Sequence, residues 1–121
     1  MTDITIFHNS RCSKSRQTMA LLEEFIRENT TSNLDIVNYL QTPPTLAELK
    51  EIITLLGFTS ARQLMRTGEA IYKELVLKEE TDEAVLLQAM LDNPKLIERP
   101  IVLANGKAKI GRPPESVLSI L

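Results

Sequence analysis

Residues 4–18 read ITIFHNSRCSKSRQT, and the way this stretch divides decides the fold. Ile4–Phe7 is apolar, rich in β-branched residues, and stops at a polar run, the pattern of a short strand. Beyond that run, Met19, Leu22, Phe25 and Ile26 return at helical spacing. The spacing predicts a helix from Cys12 or Ser13 to Glu28, with Ser10 to Ser15 at its N-terminal end. A turn at residues 30–33 then leads into a second strand over 34–39. A strand–helix–strand start requires a parallel pair joined by a right-handed crossover. The polar run also holds the single cysteine and the single histidine of the chain, with Arg11, Lys14 and Arg16 beside them.

Further along, Pro43-Pro44 interrupts, and Thr45-Leu46-Ala47-Glu48 has the form of a capping box opening a helix to Leu56, with Gly57 past its end. Ser60-Ala61-Arg62-Gln63 is a second capping box, for a short helix closed by Gly68. Residues 69–78 are ambiguous. Thr81 is the expected cap of a helix from Asp82 to Leu91, stopped by Asn93-Pro94. Ile101–Leu103 reads as a strand, Asn105-Gly106 as a hairpin turn, and residues 107–110 as the returning strand. Pro113-Pro114-Glu115 is expected to open a last helix ending at Leu121. The fold class expected is α/β: a mixed four-stranded sheet flanked by helices, in a single domain over residues 1–121, with a helical insertion between strands two and three at about 45–92.

Bulk properties narrow the function. The chain has 121 residues, 43% of them hydrophobic, and a net charge of −2. That length can bury a core without disulfides or metals. The charge gives no reason to expect nucleic acid or anionic membrane as a partner. A lone cysteine closes no internal disulfide and suggests a reducing compartment. One Cys and one His fall short of the usual zinc sets, so no metal is expected. No signal peptide or membrane-spanning run is visible, and the cytoplasm is the expected location.

The cysteine loop carries the chemistry. A thiol at the start of a helix meets unpaired N–H groups and the positive end of the helix dipole, which favour the thiolate. His8, Arg11, Lys14 and Arg16 are cations or potential cations acting in the same direction. The N–H groups of Ser13, Lys14 and Ser15 also suit an oxyanion. The competing reading of Cys12 is a small buried hydrophobe, for which Arg11, Ser13 and Lys14 are poor neighbours. His8 reads equally as a structural hydrogen-bonder at the strand end. Lys14 taken alone reads as a solvated side chain, and Arg62, Arg66, Arg99 and Arg112 taken singly read as surface residues.

Five segments in order, HNSRCSKSR, YLQTPPT, LMRTGE, IERPIVL and GRPPE, resemble the glutaredoxin-dependent arsenate reductase family over nearly the whole chain. The resemblance implies a thioredoxin-like fold with a helical insertion and a cis proline at Pro100. It implies Cys12 as nucleophile, His8 as the residue that tunes it, and Arg66, Arg99 and Arg112 as ligands of the oxyanion. Arsenate is a tetrahedral dianion, and the planar fork of a guanidinium suits it. Reducing it takes two electrons, which one thiol cannot supply by closing an internal disulfide. An external thiol is required, and the resemblance implies glutathione as cosubstrate and glutaredoxin as partner, with no bound cofactor. The resemblance is to the shorter branch of the family, without a C-terminal tail. Three other readings compete. A regulator of the Spx type would bind RNA polymerase, but its Cys-x-x-Cys switch meets Ser15 here. A general glutathione-dependent thiol oxidoreductase would need no arsenate. A cysteine phosphatase loop requires an arginine six residues after the cysteine, where Thr18 stands.

Overall fold

The computed structural model describes residues 3–121. The elements in order are β1 (Asp3–His8), α1 (Ser13–Glu28), β2 (Asn33–Asn38), α2 (Leu46–Leu55), α3 (Ala70–Glu74), α4 (Glu83–Asp92), β3 (Ile101–Ala104) and β4 (Lys107–Ile110), with four short 3-10 turns among them. Two compact units emerge. One ends at Thr42 and resumes at Arg99–Leu121; the other is Pro43–Glu98.

The first unit is built on β1. It pairs parallel with β2, Ile4 opposite Leu34 and Phe7 opposite Val37. On its other side it pairs antiparallel with β3, Ile4 opposite Ala104 and Phe7 opposite Ile101. The sheet order is β2-β1-β3-β4, the mixed four-stranded sheet expected. Asn105 and Gly106 both take positive φ, 54° and 71°, so the β3–β4 turn has the twist a tight hairpin needs. Ile4 and Ile6 from β1, Val102 and Ala104 from β3, Leu22 from α1, and Val117 and Ile120 form the core cluster. Met19, Phe25 and Ile26 pack at its border, so the helical period read in the sequence is the period of burial.

The C-terminal segment differs from expectation. It is a 3-10 helix, Pro114–Ile120. Its buried residues are Pro114, Val117 and Ile120, spaced by three, and a three-residue turn aligns them on one face where an α-helix would not. The segment expected to be a helix from Ser60 to Gly68 is likewise 3-10, Ala61–Leu64, with Ala61 and Leu64 buried three apart. Both capping boxes form as read, Thr45 with Glu48 and Ser60 with Gln63. The cap of α4 is Asp82 rather than Thr81: its side chain accepts from the Ala84 N–H.

In the second unit, Glu83 on α4 accepts from the Ser60 hydroxyl at 2.9 Å and the Ala61 N–H at 2.7 Å, tying α4 to the preceding 3-10 turn. Arg62, read as a surface residue, is half-buried and structural. Its guanidinium donates to the Tyr72 hydroxyl, to the Leu77 carbonyl at 2.9 Å and to the Glu80 carbonyl. These partners bracket Val76, which sits at φ 55°, a conformation that costs a β-branched residue about 1–2 kcal/mol. No helix among the described residues is long and apolar enough to cross a membrane.

Two expectations follow for this unit. Arg62→Ala leaves two carbonyls without their charged donor and lowers stability by about 2–3 kcal/mol, read as a lower urea midpoint. Val76→Gly relieves the left-handed strain and raises the thermal midpoint, by an amount equivalent to about 1 kcal/mol.

Candidate functional site

The turn from β1 to α1 is fixed by a buried serine. Ser15 is fully buried. Its Oγ accepts from the Asn9 N–H at 3.0 Å and lies 2.6 Å from His8 Nδ1. The Cys12 N–H donates to the Asn9 carbonyl at 3.0 Å, and the Arg16 N–H to the Cys12 carbonyl at 3.0 Å. Arg16 reaches back to the Ser10 carbonyl at 2.9 Å. Asn9 Oδ1 accepts from the Arg11 N–H at 3.0 Å. The loop from His8 to Cys12 is therefore tied at both ends and in the middle.

Cys12 is the N-cap residue of α1, with extended backbone and no side-chain capping bond. It is buried, at 8% exposure. The first-turn N–H groups of Ser13, Lys14 and Ser15 are those a helix leaves without an intrahelical acceptor. Ser13 and Lys14 are exposed. The side chain of Ser15 serves the loop.

His8 is corrected by the structure in one respect. It does not act as a cation at neutral pH. Burial, and then the charge of Arg16, hold its pKa below 6.5, against a smaller opposing effect of Glu23. A neutral ring with its proton on Nε2 accepts at Nδ1, and the Ser15 hydroxyl then donates there while accepting from Asn9. The histidine is a hydrogen-bonding partner of the loop.

Arg112 Nη2 donates to Cys12 Sγ at 3.6 Å, across 100 positions of sequence. Its Nε donates to the Arg99 carbonyl at 2.8 Å. One main-chain oxygen thus holds the guanidinium that faces the sulfur. Arg99 is half-buried and Arg112 exposed. Each precedes a cis proline: Arg99–Pro100, the bond the resemblance implies, and Arg112–Pro113, which was not foreseen. Arg66 belongs to the other unit, where it pairs with Glu69 at 2.5 Å and Glu98 at 3.7 Å.

Sequence reasoning missed Gly111 and Thr18. A Cβ on Gly111 would lie 2.4 Å from Thr18 Oγ1 and 2.8 Å from Pro100 Cγ. The Gly111 N–H donates to the Pro100 carbonyl at 2.9 Å, and the fully buried Thr18 bonds the Lys14 carbonyl at 2.8 Å. Only a glycine lets the strand leading to Arg112 approach α1 this closely. The signal was present, since Gly111 stands next to Arg112 in the segment GRPPE. Among the described residues no group of three His, Cys, Asp or Glu side chains is arranged to hold a metal ion. The arrangement offers a thiol, a guanidinium on it, and a set of main-chain donors beside it, which suits nucleophilic attack on an oxyanion.

Comparison with known proteins places this geometry in context. The model of the ArsC family matches residues 7–120. The chain is 54% identical over 119 residues to the Escherichia coli (strain K12) protein called "Uncharacterized protein YfgD", covering 98% of this chain and 96% of that one. It is 51% identical over 122 residues to an arsenate reductase of Neisseria meningitidis serogroup A, covering all of both. The solved structure of an arsenate reductase from Vibrio cholerae superposes with a TM-score of 0.89 at 46% identity, covering 99% of this chain and 98% of that one.

Two measurements test the site. Gly111→Ala forces Thr18 or Pro100 to move and costs about 1–3 kcal/mol; it slows iodoacetamide alkylation of Cys12 or changes its pH profile, because Arg112 shifts with the strand. The depressed His8 pKa sets a sign. The unfolded chain binds the proton more readily, so His8 withdraws stability as pH falls below 6.5 and withdraws none well above it. Between about pH 7.5 and 5.5, the thermal midpoint of His8→Gln falls less than that of the native protein.

Proposed function

The chain belongs to the ArsC family, with its thioredoxin-like fold, and from that premise we propose that it reduces arsenate to arsenite with Cys12 as nucleophile and glutathione and glutaredoxin as electron donors. The observation that carries the reading is the contact of Arg112 Nη2 with Cys12 Sγ at 3.6 Å. A guanidinium at that distance can meet the negative charge of an oxyanion reacting at the sulfur.

The steps follow from valence. The Cys12 thiolate attacks arsenic(V), an S–As bond forms, and one arsenate oxygen leaves as water. A glutathione thiolate then attacks the Cys12 sulfur. The S–S bond forms, the S–As pair stays with arsenic, and arsenite departs as arsenic(III). The two electrons come from the two thiols. Glutaredoxin returns Cys12 to the thiol by taking the glutathione from the mixed disulfide. Because Cys12 is the single cysteine, no internal disulfide replaces the external thiol.

Each remaining residue has a role in this proposal. The Ser13, Lys14 and Ser15 N–H groups donate to oxyanion oxygens at the start of α1. Lys14 adds a solvated positive charge. Arg99 and Arg112 supply donors that offset the dianion and orient arsenic toward sulfur, and Arg66 is the further oxyanion ligand that the resemblance implies. His8 acts on Cys12 through the loop, as a neutral partner of Ser15. The reaction sits in a reducing compartment, the cytoplasm.

The decisive assay couples arsenate to NADPH oxidation through glutathione, glutaredoxin and glutathione reductase. The native protein sustains arsenate-dependent oxidation. Cys12→Ser abolishes it, because a serine hydroxyl stays protonated. Arg112→Ala lowers kcat/KM about a hundredfold, the typical cost of one oxyanion donor. Turnover retained by Cys12→Ser sinks the mechanism. Oxidation that depends on an added mixed disulfide and not on arsenate identifies a general thiol oxidoreductase instead.

A further inference from the structure

Arg66 is the proposed oxyanion ligand whose surroundings are described by neither the resemblance nor the motifs. Its backbone is fixed on both sides of an isolated antiparallel bridge between Met65 and Ile97. The Arg66 N–H donates to the Leu96 carbonyl at 2.7 Å, and the Glu98 N–H donates to the Leu64 carbonyl at 2.8 Å. The chain then turns, and the Glu69 N–H returns to the Arg66 carbonyl at 3.2 Å. This brings two carboxylates, distant in sequence, to one guanidinium. Glu69 Oε1 accepts from Nη1 at 2.5 Å, and Glu98 Oε1 lies 3.7 Å from Nε. The three side chains are 28%, 25% and 27% exposed, so water screens them only in part. Nη1 is thereby hydrogen-bonded, and Nε faces the second carboxylate at ion-pair distance. The third nitrogen, Nη2, has no partner among the described residues.

An arginine side chain loses rotamer freedom when it grips an anion, and that loss weakens binding unless it has already occurred in the free protein. We propose that Glu69 and Glu98 are positioning residues that immobilise the Arg66 guanidinium in advance and leave Nη2 open for the oxyanion. The proposal rests on the reading that Arg66 is an oxyanion ligand. Two effects of Glu69 oppose each other. Its charge repels a dianion, and its grip orders the arginine. A short charge-assisted bond to a half-buried partner orders strongly, so the grip is the larger effect. Glutamine separates the two, because its amide oxygen keeps the acceptor and discards the charge.

The experiment uses the full chain with the substitutions Glu69→Ala, Glu69→Gln, Glu98→Ala and Arg66→Ala. Two readouts are taken: arsenate KM and kcat in the coupled assay, and the 15N heteronuclear NOE of the Arg66 Nε–Hε pair without substrate. Glu69→Ala raises KM about tenfold with kcat within about twofold, the pattern of lost binding shared by ground and transition states. It also turns a rigid Nε–Hε signal into a mobile one. Glu69→Gln restores rigidity and holds KM within about threefold of the native value. Glu98→Ala acts in the same direction with a smaller effect. The proposal is overturned if Glu69→Gln lowers KM below native, which would make charge the dominant effect. It is equally overturned if Glu69→Ala lowers the thermal midpoint and leaves both KM and the NOE unchanged. If Arg66→Ala itself leaves KM unchanged, the oxyanion role of Arg66 fails, and the NOE still decides whether the carboxylates hold it.

Discussion

The hydroxyl of Ser15 joins the end of β1 to the first turn of α1, and the candidate site depends on that junction. With its side chain fully buried, its oxygen satisfies the Asn9 N–H and meets His8 Nδ1. A buried hydroxyl with no such partners would cost its desolvation, so the loop has one low-energy path. That path puts Cys12 at the cap of α1, ahead of the first unpaired N–H groups. A free choice of loop conformation would leave the same residues present and the thiol unplaced.

The second half of the site arrives from the other end of the chain. β3 lies antiparallel to β1, so residues just before β3 and just after β4 return to the end of β1 where the cysteine loop begins. Gly111 then passes α1 at a distance that excludes any Cβ. Arg112 is aimed by the Arg99 carbonyl. The sulfur thus meets a side chain whose own position is set by main-chain contacts, which are stiffer than side-chain ones. In the Pro43–Glu98 unit the same economy recurs, with Arg62 holding the carbonyls around a left-handed valine.

The loop also shows how burial changes the chemistry of a residue without changing its identity. The histidine beside the cysteine reads as an electrostatic helper when only its type and spacing are known. Partial burial and Arg16 make the charged form unfavourable, and the ring is a hydrogen-bond partner of Ser15.

What the sequence by itself determined is local. The period of Met19, Leu22, Phe25 and Ile26, the capping boxes at Thr45 and Ser60, and the Asn105-Gly106 turn each involve residues within a few positions, and each formed as read. The mixed character of the sheet followed from the β-α-β start and the hairpin, because chain connectivity and handedness leave few alternatives, while the strand order came from the tertiary structure. The tertiary structure decided the rest. It turned the last helix into a 3-10 turn, because Pro114, Val117 and Ile120 had to face one core. It gave Arg62 its carbonyl partners and His8 its neutral state. It brought Arg112 to Cys12 across 100 positions. Charge state, side-chain partners and long-range approach depend on what packs nearby, and no local pattern of residue types contains that information.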